Sequence, residues 1–245
     1  MTRPAHVAPQ VFAVIPALDE EAAIGGVVRR LVEQLPELAG VVVVDNGSTD
    51  RTAAVARAAG ALVVSEPRRG YGRACLSGVE AAVGADVVLL LDGDGADDVV
   101  AARRVLLPVL DGSADLSVGV RSAGTREHGA MTPQQVLGNR LAAVIIRRRY
   151  RLPMTDPGPM RAVRRQVLLR MEMSEMTYGW TIEMTAKAAR LGLRYVEVPV
   201  AYRRRTGQSK VGGTLRGSVA AGLSILATLW RHRDWQPSAR EGLAG

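Results

Sequence analysis

Asp92 and Asp94 follow an apolar run, Val-Val-Leu-Leu-Leu at residues 87–91, in the order Asp-Gly-Asp-Gly-Ala-Asp-Asp. Two carboxylates spaced by two residues project to one face wherever the chain stays extended. Gly93 and Gly95 let the backbone bend closely around a ligand. Charged, hard oxygen donors suit a divalent cation, and Mg²⁺ or Mn²⁺ commonly bridges such carboxylates to phosphate. The competing reading is a solvated acidic loop that caps the next helix, a role better suited to Asp97 and Asp98. Residues that answer phosphate come later in the chain: Arg121, Arg203, Arg205 and Lys210 sit at expected strand ends or in adjacent loops. Forked guanidinium groups match phosphate oxygens, and lysine adds a point charge.

These residues need a scaffold, and the first half of the chain has the pattern of one. Strands are expected at 11–16, 41–44, 61–65 and 86–91, each a short apolar run. Helical spacing separates them at 20–35, through about 59, and at 71–83, with Ser48 or Thr49 as cap of the second helix. The βαβαβαβ alternation predicts a Rossmann-like, mostly parallel α/β sheet with helices on both faces. Ligands of such sheets collect beyond the carboxyl ends of the strands. The loops at 16–20, 45–50 and 92–98 should therefore converge. The second half predicts helices at 97–110, 133–150, 180–191 and 215–231, and strands at 115–120 and 195–202. Residues 160–171 mix a strand with a short helix, and 203–214 form a glycine-rich basic loop.

Composition narrows the class. The chain has 245 residues, 47% of them hydrophobic, and only 4% aromatic, so its core must be built from Val, Leu, Ile and Ala. Cys75 is the single cysteine, which excludes an intrachain disulfide and fits a reducing compartment. A net charge of +8 implies anionic partners. Nucleic acid is disfavoured, because stacking aromatics are scarce and no recognition motif is present. No apolar run precedes Val11, and the apolar stretch at 219–230 is too short to span a bilayer. A cytoplasmic protein is expected. Basic flanks and Trp230 leave the 215–231 helix open to peripheral membrane contact or to a core or dimer interface. Oligomeric state is left open.

Three segments occur in order: Pro16-Ala17-Leu18-Asp19-Glu20-Glu21, Val43-Val44-Asp45-Asn46-Gly47-Ser48-Thr49-Asp50 and Leu91-Asp92-Gly93-Asp94-Gly95. Together they resemble the nucleotide-sugar half of a family 2 inverting glycosyltransferase of the GT-A fold. Arg121, the segment from Asp156 to Ala162, the Glu197-Val198-Pro199-Val200 run and the segment from Arg205 to Lys210 resemble its polyprenyl-phosphate sugar synthase branch. The resemblance covers about residues 11–216. It divides the chain into a tail at 1–10, a GT-A domain at 11–214, and a C-terminal helix and tail at 215–245.

The resemblance implies metal-dependent transfer of a hexose from a UDP- or GDP-sugar to a polyprenyl phosphate, or alternatively to a hydroxyl acceptor. A basic nucleotide-binding module is the non-enzymatic alternative. Donor contacts are implied for Pro16, Leu18, Glu20, Asp45, Gly47, Arg73, Asp92 and Gly93. Asp92 and Asp94 would hold Mg²⁺ or Mn²⁺. Arg121, Arg203 and Ser209 would meet the acceptor or its phosphate, and Asp94, Asp156, Arg205 and Lys210 would serve catalysis. Asp156 and Glu183 are the candidate bases for a hydroxyl acceptor, with ion pairing the stronger reading for Glu183. Asp50 reads as a turn or cap residue. Ala96 departs from the lipid-phosphate synthases, which commonly have Gln there to assist the metal. The glycine-rich entry at 70–75 would bring helix N-terminal amides and Arg73 near the donor. The basic run 147–151 reads as a solvated helix end or a contact with anionic lipid.

Overall fold

The computed structural model describes residues 8–121, 125–127, 129–206 and 227–237. Seven strands form one sheet in the order β3-β2-β1-β4-β6-β5-β7. The first four are β1 (Val11–Ala17), β2 (Leu38–Asp45), β3 (Leu62–Ser65) and β4 (Val87–Leu90), all parallel as expected. They alternate with the helices α1 (Ile24–Gln34), α2 (Thr52–Ala58) and α3 (Tyr71–Ala81). The second half adds α4 (Val99–Leu110), β5 (Leu116–Val120), α5 (Pro133–Tyr150), β6 (Arg161–Arg164), α6 (Arg165–Arg170), α7 (Trp180–Arg190) and β7 (Tyr195–Pro199). Strand β6 is inserted between β4 and β5 and runs antiparallel to both.

Period-two alternation within the strands builds two cores. Val11, Ala13 and Ile15 face α1, α2 and α4, whereas Val14, Val42 and Val88 face α3, α6 and α7. Helix α3 lies so close to the sheet that a methyl group at Gly78 would overlap Val14 and Val44. A third, smaller core joins Ala142, Ala143 and Ile146 of α5 to Ile182 and Ala186 of α7 and to Leu229. Thr132 and Gln135 close a reciprocal capping box at the start of α5.

Two local expectations change. Neither Ser48 nor Thr49 caps α2, which begins at Thr52. The loop after β2 is instead laced to the loop after β1. Asp19 N–H donates to Ser48 Oγ at 3.0 Å, Thr49 N–H to Asp19 Oδ1 at 2.7 Å, and Glu21 N–H to Asp50 at 3.1 Å. Residue 97 does not cap α4 either. Asp98 alone does, accepting from Val100 N–H at 3.2 Å. Residues 227–231 are helical, but most of the expected 215–231 helix and of the loop at 203–214 lies outside the described residues.

Candidate active site

A cleft of 620 Å³ opens at the carboxyl edge of the sheet. The loops after β1, β2 and β4 meet there, at the point where consecutive strands diverge to opposite sides of β1. Pro16, Leu18, Glu20, Asp92, Gly93, Asp94, Arg121 and Arg205 line it, as the sequence led us to expect. Because β6 is antiparallel, the loop preceding it also reaches this edge and contributes Pro157 and Pro159.

The floor of the cleft is acidic. Asp92 Oδ1 accepts from the Tyr71 hydroxyl at 3.1 Å. Asp94 Oδ1 accepts from Ala96 N–H at 2.9 Å, and its Oδ2 lies 3.3 Å from Arg205. Asp97 is turned inward, 5% exposed, and accepts from Asp92 N–H at 3.1 Å. Burial, and then the charge of Asp94, pushes Asp92 up to about 6. Burial and the charges of Asp92 and Asp94 push Asp97 up to about 8. Its Oδ1 is buried without a hydrogen-bond partner among the described residues. Three carboxylates thus crowd the end of β4, and their mutual repulsion and burial oppose ionisation of the whole set. Gly93 packs tightly on Ile15, Ile24 and the Pro16 carbonyl, so the chain passes closely under the cleft.

Among the described residues, no three acidic, His or Cys side chains form a complete metal-holding group. Ala96 is buried and has no side-chain donor to offer. Asp92 and Asp94 therefore fit a cation only as a partial set, completed by oxygens from outside the protein. That is the usual way Mg²⁺ is held beside phosphates.

The opposite wall is basic. Arg121 forms a bidentate pair with Asp156, both contacts at 2.8 Å, and its backbone N–H donates to the same carboxylate at 2.9 Å. Asn139 adds a bond to Asp156 at 3.0 Å, and the Arg121 guanidinium lies 5.0 Å from the centre of the Tyr202 ring. Burial alone would raise the Asp156 carboxyl, but Arg121 overcomes it and holds the group below the usual carboxylate range. Action as a base would require breaking this pair. A side pocket of 180 Å³ adjoins the cleft, and Arg121, Arg126 and Arg140 line it with Asn139 and Asp156.

Other expected residues lie elsewhere. Asp45 Oδ1 accepts from Ser48 N–H at 3.0 Å and closes a turn outside the cleft lining. Gly47, in the left-handed region at φ 77°, continues that turn. Arg73 is outside the lining too, and its N–H donates to the Met176 carbonyl at 3.2 Å. The loop at 174–179 packs on the start of α3, where methyl groups at Gly70 or Gly72 would overlap its backbone, while Gly70, Tyr71 and Ala74 line the cleft. Arg203 is exposed, with its N–H bonded to the Ala96 carbonyl at 3.0 Å. Glu183 is fully buried in an ion pair with Lys187 at 2.8 Å, away from the cleft, consistent with the pairing reading. Ser209 and Lys210 lie outside the described residues.

Sequence reasoning missed Asn46, Tyr71, Asn139 and Tyr202. Asn46 pins the 66–70 loop through bonds to the Glu66 and Arg68 carbonyls at 2.9 Å each and to Gly70 N–H at 2.7 Å. Tyr71 carried a usable signal. The first residue of the helix after β3 must lie near the end of β4 in this topology.

Residues 12–171 match the family model described as glycosyl transferase family 2. The chain belongs to this family. It is 40% identical over 212 residues to an uncharacterized glycosyltransferase of Mycobacterium tuberculosis, covering 86% of this chain and 94% of that one. It is also 34% identical over 229 residues to a dolichyl-phosphate hexose transferase of Haloferax volcanii, covering 90% and 94% respectively. Among solved structures, it resembles glucosyl-3-phosphoglycerate synthase from M. tuberculosis in complex with Mn²⁺, UDP-glucose and phosphoglyceric acid. There the TM-score is 0.72 at 23% identity, over 97% of this chain and 87% of that one. This likeness establishes the GT-A fold of the family 2 glycosyltransferase, and membership of the family removes the non-enzymatic reading. Among its described residues, no helix is long and apolar enough to cross a membrane.

Proposed function

We propose that this glycosyltransferase moves a hexose, with inversion, from a UDP- or GDP-sugar to a polyprenyl phosphate. The observation that carries the reading is the polarity of the cleft: carboxylates at one wall and a three-arginine side pocket at the other. The dolichyl-phosphate hexose transferase relative supports the same acceptor class.

Pro16, Leu18 and Glu20 hold the nucleoside, with Asp45 and Gly47 shaping the loop behind them. Asp92 and Asp94 would hold Mg²⁺ or Mn²⁺, which when bound offsets the charge gathering on the departing nucleoside diphosphate. Arg205, beside Asp94, supplies positive charge to the same diphosphate. Arg121 binds the acceptor phosphate, with its guanidinium plane fixed by Asp156 and Tyr202. A phosphate oxygen is already anionic near neutral pH, so attack on the anomeric carbon needs no strong base. Asp156 is then a positioning residue. Its commitment to Arg121 favours the phosphate acceptor over the hydroxyl one.

The test is a thermal-shift screen of UDP- and GDP-hexoses with and without Mn²⁺, followed by mass spectrometry of lipid products made from polyprenyl phosphate in detergent. A donor that raises the melting midpoint only with metal and yields a glycosylated lipid phosphate is the expected result. Transfer from that donor solely to alcohol acceptors would replace this reading with the hydroxyl one.

A further inference from the structure

Helix α5 has two unlike faces. Ala142, Ala143 and Ile146 turn inward against α7. On the opposite side Leu137, Leu141 and Val144 are 69%, 50% and 41% exposed. Their spacing of four and then three residues places them in a single stripe. Arg140, Arg147 and Arg148 share that outward side, and α5 contains no Asp or Glu. None of these arginines forms an ion pair among the described residues. Uncompensated charge and exposed apolar surface therefore coincide on one helix.

We propose that this face of α5 docks on an anionic lipid bilayer. Three features select that occupant. A bilayer interface takes up an apolar stripe and attracts flanking basic side chains at once. A second copy of the chain, meeting the same face across a two-fold axis, would set arginines against arginines. The stripe also leads to the site: Arg140 lines the side pocket beside Arg121. The phosphate of a membrane-embedded polyprenyl phosphate would enter that pocket at the head of α5 while its chain stays in the lipid. This delivery role rests on the acceptor proposed above, whereas the docking itself does not.

The full chain should co-sediment with vesicles of phosphatidylcholine mixed with phosphatidylglycerol and not with phosphatidylcholine alone. Arg147→Gln with Arg148→Gln should weaken that binding on the order of tenfold. Leu141→Ser with Val144→Ser should weaken it comparably. Both double variants should keep parental activity on a short, water-soluble polyprenyl phosphate and lose it on the full-length lipid in vesicles. Equal binding to both vesicle types, or double variants that bind like the parent, would overturn the proposal. So would self-association in analytical ultracentrifugation that Leu141→Ser abolishes. Anionic-vesicle binding without glycosylation of any lipid phosphate would leave the docking surface standing and sink the acceptor reading instead.

Discussion

This fold buries carboxylates in two places, and the two are neutralised differently. Around α7, Glu183 accepts from Ser174 N–H at 2.9 Å, Glu175 N–H at 2.7 Å and Lys187 at 2.8 Å, with His232 Nε2 3.2 Å away. Burial would raise its pKa, but these donors hold it below the usual carboxylate range. Lys187 in turn donates to the Glu172 carbonyl at 2.8 Å and lies 4.7 Å from the centre of the Trp235 ring. Glu175 is held by Arg231 at 2.9 Å and also contacts Thr228, so the same cluster fastens residues 227–237 to the domain. At the end of β4 the balance is reversed. Asp92, Asp94 and Asp97 share the guanidinium of Arg205 and that of Arg121, which Asp156 already pairs, and Asp92 and Asp97 are pushed upward. The fully paired Glu183 carboxylate holds the structure together around α7, although His232 Nε2 and Trp180 Nε1 have no hydrogen-bond partner among the described residues. In the function proposed above, a ligand completes the unsaturated pairing at β4.

The sharpest way to separate the two is to remove one acid from each. Asp94→Asn should lower kcat by about 10³-fold, the scale of a lost electrostatic contact in a transition state, while leaving the urea midpoint near that of the parent. Full activity in this variant with metal present would remove Asp94 from the site. Glu183→Gln should do the converse, costing about 3 kcal/mol in urea unfolding by leaving Lys187 buried without its counter-charge. The fraction that remains folded should turn over normally.

Asp97 offers a subtler break. A buried acid with a raised pKa binds its proton more tightly in the folded state. Its contribution to stability is therefore full below the unfolded value near 3.8 and is lost as pH rises toward about 8. Asp97→Asn, measured in chelator, should raise stability at pH 8 by on the order of 2 kcal/mol and by less at pH 5. A gain that does not depend on pH would refute the raised value. The smallest effect belongs to Arg231→Ala, since Arg231 is largely exposed. Unfolding should change by less than about 1 kcal/mol. The donor KM should rise, because Glu175 also accepts from Thr177 in the loop beside the cleft. An unchanged KM would confine that contact to stability.

The difference between these regions also explains what the sequence made legible. Apolar runs of strand length located β1 to β4, because burial imposes its period directly, and the helix expected at 133–150 with a basic end matches α5 end to end. The direction of β6 is invisible at that level, since a parallel and an antiparallel strand carry the same alternation. At the site, Asp92, Asp94, Arg121 and Arg205 were readable because charge at a strand end has few other uses. Asp45, at the end of β2, bonds to its own turn, as an Asx side chain after a strand can. Arg73 was displaced by the 174–179 loop, a long-range contact with no local signal. Asn46 and Tyr202 stayed hidden, neutral polar groups beside the more conspicuous Asp45 and the arginines at 203–205.

The reversed strand has a consequence for how this enzyme could be altered. Val118 lies opposite Arg161, and Gly119 N–H donates to the Met160 carbonyl at 2.8 Å. The chain that leaves β5 and returns as β6 thus starts and finishes at adjacent points of the sheet. Arg121, Arg126, Arg140 and Asp156 all belong to this one excursion from the sheet, which α5 also packs against α7. Pro16, Leu18, Glu20, Asp92 and Asp94, the proposed donor side, hang on β1 and β4. Exchanging residues 121–159 between relatives should therefore transplant acceptor choice as a unit while leaving sugar-nucleotide choice with the recipient.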